Sequence, residues 1–360
     1  MATTNYGVNS PEAVKLWSRK LNREALKRTW FSKFCGEDSN SVIQILTDTQ
    51  KGPGDRVRST LRMLLSGDGV SGDGTLEGSE EALTTYTDNV VVDQLRHAVR
   101  SGGKMTEQRI PFSVREEARM GLADWWADRL DSWFFNQLSG HLADIRFTGM
   151  QAATAPAGTN RHILGRLSQS GSTYTTEASV GSASASNVIT LQHIDDCVLV
   201  AKTSSPQIRP IRLNGEDKFC MFLSPHQVRD LRTNTNTGQW LDIQKAAMQG
   251  GQVTNSPIYT GALGEYNGVV LHESTRVPFG GSATGSVQSS NARAIFAGAQ
   301  AGALAFGRGY GKSKFSWVEE LFDYRNQLGV SAGIIGGLKK NVYNSNDFGA
   351  IVLTTSVTGA

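Results

Sequence analysis

Cysteine, long apolar runs and a dominant sign of charge are what this 360-residue sequence has least of. Its three cysteines, Cys35, Cys197 and Cys220, are odd in number and scattered. That pattern excludes a disulfide framework and a zinc pattern, and makes a reducing cytoplasm the default compartment. No apolar run reaches the ~18–20 residues needed to cross a bilayer. The longest candidate, 294–306, is interrupted by Gly298, Gln300 and Gly302. The N-terminus has no apolar stretch followed by a small-residue cleavage site, so it does not read as a secretory signal. Glu12, Glu24 and the scarcity of serine argue against a transit peptide. Lys and Arg number 36 against 33 Asp and Glu, and a net +3 gives no whole-chain case for a nucleic-acid or membrane binder.

Glycine, by contrast, is abundant. The chain has 39 glycines, without a collagen-like period, and these read as turns, bends and extended arms. A hydrophobic fraction of 39% and a charged fraction of 19% exclude wholesale disorder. The length suits two to three domains, or one body with long insertions.

The small net charge hides segregation. Residues 1–34 hold seven basic side chains (Lys15, Arg19, Lys20, Arg23, Lys27, Arg28, Lys33) against Glu12 and Glu24. Ser10-Pro11-Glu12 is a helix start, and Val14, Trp17, Leu21 and Ala25 recur at helical spacing. The spacing predicts an amphipathic basic helix in an N-terminal arm. From Asp55 to Leu65 the period becomes two, with Val57, Ser59, Leu61 and Met63 on one face and Arg56, Arg58, Thr60 and Arg62 on the other. Between Met63 and Leu95 there is no Lys or Arg but there are seven carboxylates, Asp68, Asp73, Glu77, Glu80, Glu81, Asp88 and Asp93. Tyr86 and Val90–Val92 favour a second strand. Residues 52–110 therefore read as a long hairpin with basic roots and an acidic, glycine-rich tip. Such a hairpin has little core of its own and needs something to lie on.

Ser113 and Glu116 have capping-box spacing. After them Leu122, Trp126, Leu130, Phe134 and Leu138 recur every four residues up to Gly140. A helix over 114–139 would be about 39 Å long at ~1.5 Å per residue. Asp124, Asp128 and Asp131 share another face, expected to be solvated or inter-subunit. Residues 168–187 read as a Ser/Thr/Gly loop, 191–201 as a helix and 218–223 as a buried strand. Ser224-Pro225 caps a short helix through Leu231. Strands follow at 269–272, 294–296, 315–321, 329–338 and 350–357. The mixture is α+β with a dominant β component.

Catalytic patterns fail on inspection. Gly307-Arg308-Gly309-Tyr310-Gly311-Lys312-Ser313 ends like a phosphate loop, but Phe306 stands where its first glycine is required. His272-Glu273 resembles a zinc-protease helix until Arg276 replaces the second histidine. Asp68 and Asp73 lack calcium-loop spacing, and no G-x-S-x-G elbow occurs. Neither a catalytic residue nor a cofactor or metal site is expected.

Four segments carry a resemblance: 42–83 (VIQILTDTQKGPGDRVRSTLRMLLSGDGVSGDGTLEGSEEAL), 109–140 (RIPFSVREEARMGLADWWADRLDSWFFNQLSG), 256–274 (SPIYTGALGEYNGVVLHES) and 322–353 (FDYRNQLGVSAGIIGGLKKNVYNSNDFGAIVL). With the order of elements they resemble the tailed-phage major capsid proteins of the Hong Kong 97-type fold, and among these the N-four-like subfamily. The resemblance implies an N-arm over 1–51 and an E-loop over 52–110. It implies a P-domain over 111–186 and 312–343 with a spine helix over 112–139, and an A-domain over 187–311 and 344–360. It further implies a virion shell protein, synthesised and assembled in the host cytoplasm, that forms hexamers and pentamers of an icosahedral head around double-stranded DNA. Portal, scaffolding and decoration proteins are the implied partners, and no membrane is. An encapsulin-like compartment shell and a glycine-rich β hydrolase or nucleotide enzyme are the alternative readings.

Two groups of residues are expected to serve assembly. The basic arm (Lys15, Arg19, Lys20, Arg23) either contacts DNA phosphates or lies against a neighbouring subunit. The hairpin separates Arg56, Arg58 and Arg62 from Asp68, Asp73, Glu77, Glu80 and Glu81 by more than a Debye length of about 8 Å. The acidic tip is therefore expected to pair with basic groups of a neighbour, either its hairpin root or its Arg115/Arg119 helix start.

Overall fold

The computed structural model describes residues 29–46, 54–63, 65, 67, 69–141, 152–158, 160–182, 187–213, 215–234, 262–281, 287–307 and 314–357. The basic arm helix, Asp68 and residues 308–313 of the glycine-rich loop lie outside them. The strands are β1 (Cys35–Gly36), β2 (Ile43–Leu46), β3 (Arg56–Arg62), β4 (Thr85–Val91), β5 (Asp93–Arg100), β6 (His162–Leu164), β7 (Ile211–Leu213), β8 (Glu216–Leu223) and β9 (Ala262–Tyr266). They continue with β10 (Val269–Glu273), β11 (Phe279–Gly281), β12 (Val287–Ala297), β13 (Gly302–Phe306), β14 (Phe315–Phe322), β15 (Gln327–Lys340), β16 (Val342–Tyr343), β17 (Asn346–Asp347) and β18 (Ala350–Ser356). The helices are α1 (Lys104–Arg109), α2 (Val114–Ser139), α3 (Glu177–Ser182), α4 (Leu191–Thr203) and α5 (Pro225–Thr233).

Helix α2 runs where its four-residue repeat predicts. Leu122, Trp126, Leu130, Phe134 and Leu138 are all buried. Gly140 ends the helix at φ 63°, a left-handed conformation that glycine adopts without a Cβ penalty. The expected capping box does not close. The Ser113 carbonyl accepts from the Glu116 and Glu117 N–H groups at 3.1 Å, but its side chain makes no cap hydrogen bond. At α5 the cap forms as read, with the Ser224 hydroxyl accepting from the Gln227 N–H at 3.3 Å and Pro225 in the first turn.

Two sheets sandwich this helix. The six-stranded sheet runs β1-β2-β13-β15-β14, with β5 also paired to β15. The 14-residue β15 reaches three partners because it is long enough to pair β14 and β5 over Gly329–Ile334 and β13 over Gly336–Lys340. The eight-stranded sheet runs β6-β18-β12-β8-β10-β9, with β11 on β12 and β7 on β8. Period-two alternation on β8 divides the interior. Cys220 and Phe222 join the core around α2, whereas Phe219, Met221 and Leu223 join the core under α4 and α5. The first core also takes Phe315, Trp317, Ile334 and Leu338 from the six-stranded sheet, so α2 is common to both layers.

Three expectations change. Thr29–Leu46, read as arm, is part of the body: Phe31 and Ile43 are buried, and β2 pairs in parallel with β13. Among the described residues the strand ladder of the hairpin read over 52–110 is β3 with β4, because β5 leaves it for β15 and α1 follows. Residues 168–187 contain the short helix α3, with the carboxylate Glu177 buried.

Candidate functional site

The hairpin β3–β4 presents the clearest contrast of buried and exposed surface. Its register pairs Arg56 with Val91 and Arg62 with Thr85. Val57 and Val90 point inward onto Ala303 and Ala305 of β13. Gly337 permits this approach, because a Cβ there would run into the Val91 carbonyl. Asp88 shares the inward face with Tyr86 and Val90 and fastens the root. It accepts from Lys339 Nζ, from the Asn89 N–H at 2.8 Å and from the Val342 N–H at 3.0 Å. The Tyr343 hydroxyl donates to Ser59 Oγ at 2.9 Å. One of the seven carboxylates between Met63 and Leu95 is thus an internal tie. Period two marks Asp88 as inward in the sequence, but its partner lies 251 residues away.

Beyond Arg62 the hairpin leaves the body. Leu65, Leu76 and Leu83 are 63%, 61% and 60% exposed, and Asp73, Glu77, Glu80 and Glu81 are exposed beside them. Two carboxylates shape the tip itself: Glu80 accepts from the Gly78 N–H at 2.7 Å and Glu81 from the Gly67 N–H at 2.7 Å. Arg56, Arg58 and Arg62 lie on the exposed face of β3, as the period requires, with Arg58 Nε donating to Asn89 Oδ1 at 3.4 Å. Arg115, named as a partner for a neighbour's tip, is held within the chain by Glu319 at 2.8 Å. Arg119 is half-buried on α2.

The aspartate face of α2, expected to be solvated or inter-subunit, divides: Asp124 is exposed, whereas Asp131 is tied into the body. Asp131 is buried and accepts from the N–H groups of Trp30 and Phe31, both at 3.1 Å. Burial pushes its carboxyl up from the ordinary value, against the pull of those two bonds. Asp128 is paired with Arg276. Asp131 thus anchors the incoming chain at Trp30, a role invisible in helical spacing.

Sequence reasoning also missed a buried ionic cluster. Glu177 of α3 accepts from Arg293 Nε at 2.7 Å and Nη2 at 2.9 Å, from the Gly281 N–H at 2.6 Å and from Thr354 Oγ1 at 2.8 Å. Burial alone would raise its carboxyl, but hydrogen bonds from His162 and Arg293 and their charges outweigh burial and hold it well below the usual carboxylate range. Arg293 Nη1 also donates to the Ser139 carbonyl at 3.0 Å, tying this cluster to the end of α2.

Among the described residues no group of three or more His, Cys, Asp and Glu side chains is placed to hold a metal. His272 lies on strand β10 and not on a helix. A cavity of about 540 Å³ between the chain entry, α2 and the six-stranded sheet is lined mainly by apolar side chains, among them Phe31, Leu130, Trp133 and Phe306. No described helix is long and apolar enough to cross a membrane.

A protein family described as "Phage capsid protein" matches residues 5–358. The chain is 32% identical to the major capsid protein of Pseudomonas phage KPP25 over 380 aligned positions, covering 97% of this chain and 96% of that protein. Its structure is similar to the capsid of Ralstonia phage GP4, with a TM-score of 0.74, 32% identity and 99% of each chain covered. The fold also matches the capsid of cyanophage Pam1, with a TM-score of 0.74, 21% identity and coverage of 93% and 94%. These relatives favour neither the compartment shell nor the enzyme. An exposed hairpin tip on a packed body agrees with them: the chain belongs to the phage capsid protein family, and its function is that of a major capsid protein, a self-assembling subunit of the virion shell.

Proposed function

We propose that copies of this chain form hexamers and pentamers that close an icosahedral tailed-phage head around double-stranded DNA, with portal, scaffolding and decoration proteins as partners. The chain acts as a structural subunit and not as an enzyme. The observation that carries this reading is the hairpin, anchored to its own body at the root while Leu65, Leu76 and Leu83 stand in solvent at the tip. Exposed apolar groups gathered on one projection mark an interaction site. Within this reading the N-arm precedes Thr29–Leu46, which joins it to the body, β3–β4 is the E-loop, α2 and the six-stranded sheet form the P-domain, and the eight-stranded sheet with α4 and α5 forms the A-domain.

The acidic tip pairs with basic groups of a neighbouring copy. Arg115 is committed to Glu319, so Arg56, Arg58 and Arg62 of a neighbour's root are the better partners. Single exposed pairs contribute about 0–1 kcal/mol, so the effect comes from their repetition over the shell. The basic arm, with Lys15, Arg19, Lys20 and Arg23, supplies sequence-independent phosphate contacts.

Negative-stain microscopy of the purified chain tests the shell, with closed polyhedral particles expected. Asp73→Lys with Glu77→Lys tests the lock, because neither side chain shapes the tip as Glu80 and Glu81 do. Particle yield should fall tenfold or more with the unassembled fold unchanged. Normal yield and salt tolerance would remove the charge lock.

A further inference from the structure

The core around α2 stays open where the entering chain meets the helix. The cavity there, of about 540 Å³, falls within the ~300–1,000 Å³ of small-molecule sites. Packing voids in protein interiors seldom exceed a water molecule. The apolar wall is assembled from three parts of the fold: Phe31 from the entry segment, Leu130 and Trp133 from α2, and Leu304, Phe315 and Ile334 from the six-stranded sheet. Two of these side chains are pinned by their own neighbours. Phe31 stacks on Phe134 with ring centroids 5.0 Å apart, and its N–H donates to Asp131 Oδ1. Phe315 meets the Trp126 ring edge-on at 5.2 Å. Collapse of either ring into the space would break these contacts.

Ser32, Cys35 and Lys314 add polar groups to this lining, and Lys314 is its one charged residue at neutral pH. The Lys314 ammonium lies 4.2 Å from the centre of the Phe306 ring, which also lines the cavity. Among the described residues no carboxylate lies within ion-pair distance of it, and the exposed Glu37 acts on it through charge alone. Its half-buried position pulls its pKa down, because the charged form is poorly solvated there. Burial likewise pushes the Cys35 thiol up to about 12, so the thiol stays protonated and gives Lys314 no anion. A cation at an apolar cavity is stabilised by an anion that reaches it from within that cavity.

We propose that this cavity binds an anionic amphiphile, a monocarboxylate with one apolar tail, its carboxylate on the Lys314 ammonium and its tail between Trp133, Leu304 and Ile334. One ammonium matches one negative charge, whereas a phosphate would bring surplus charge against an apolar wall. The ligand touches the entry segment, α2 and the sheet together, so it fastens the entering chain to the body and stabilises the folded chain by mass action. The site goes beyond the shell reading and uses neither the hairpin tip nor the basic arm.

Calorimetric titration of the unassembled full chain with dodecanoate tests the site, with dodecanol as the uncharged control. Saturable binding of one dodecanoate per chain is expected, with a thermal midpoint that rises with its concentration. Lys314→Met should weaken dodecanoate tenfold or more while changing dodecanol less than twofold. Ile45→Trp, which adds bulk to the lining, should weaken both tenfold or more, and urea unfolding checks that each variant is folded. Absence of saturable binding, or binding that Lys314→Met leaves unchanged, would overturn the site. Equal losses of dodecanoate and dodecanol in Lys314→Met would overturn the carboxylate. Binding that vanishes in assembled particles would give the cavity to a segment of a neighbouring copy and overturn the small-molecule ligand. Failure of the wild-type chain to form particles at all would strike the shell reading and leave the titration intact.

Discussion

The two ends of the hairpin differ in what each carboxylate and each apolar side chain touches. At the root, Val57 and Val90 are buried on β13, and Asp88 meets Lys339 and two backbone N–H groups. At the tip, Leu76 and Leu83 are exposed, and the contacts of Glu80 and Glu81 to Gly78 and Gly67 are local. The same strand pair is thus part of one subunit at one end and a free surface at the other. A residue's distance from the body, and not its chemistry, then decides whether its loss is felt in folding or in assembly. Substitutions placed along this gradient should separate the two effects.

The largest loss is expected inside the body, at Glu177. Its exchange to glutamine leaves the Arg293 guanidinium buried without a charge partner, and breaking a buried pair on one side costs about 3–5 kcal/mol. Urea unfolding of the unassembled chain measures it, and Glu177→Leu with Arg293→Met should cost less than the single exchange. The pH dependence has a definite sign. A carboxyl held below its unfolded value, about 4.3 for glutamate, contributes fully above that pH and loses its contribution as pH falls through the folded value. The gap between wild type and Glu177→Gln should therefore narrow below about pH 4. A gap that widens below about pH 4 would contradict the assignment.

The intermediate loss belongs to the root. Asp88→Ala strands Lys339 and the Val342 N–H in a largely buried place, for about 1–3 kcal/mol. The effect should be local. Hydrogen exchange should speed up in β3 and β4 while α4 and β18 keep their protection. Uniform loss across the chain would mean that the root is not an independent tie.

Legibility in the sequence follows a similar gradient. Helix α2, the strand at β8 and the cap at Ser224 were readable because their signals are local: a four-residue repeat, a run of apolar residues, a serine before a proline. The resemblance that fixed the fold class rested on four long segments. The ties made by Asp131, Asp88, Glu177 and Arg115 are not legible in the sequence because each joins a group about 100 or more residues away. A carboxylate on a helix face or in a Ser/Gly-rich stretch looks solvated until the fold brings its partner. The exposure of Asp73 and Glu77 at the tip is legible for the opposite reason, because glycine and charge mark a surface turn without reference to any distant group.

The smallest effect on folding, and the most informative for assembly, is expected at the tip. Leu76→Ser with Leu83→Ser removes two side chains that are already 61% and 60% exposed, so the unassembled chain should stay within about 0.5 kcal/mol of wild type. If the tip reaches a neighbour through apolar contact as well as charge, particle yield should fall severalfold, and unlike the Asp73/Glu77 reversal the defect should not be relieved by adding salt, which screens charges but leaves apolar burial intact. Measuring yield for both variants across ionic strength separates the two contributions. A Leu76/Leu83 variant that assembles normally would leave charge alone at the tip. One that unfolds the isolated chain would show instead that the tip packs on its own body, and the contrast between root and tip would fail.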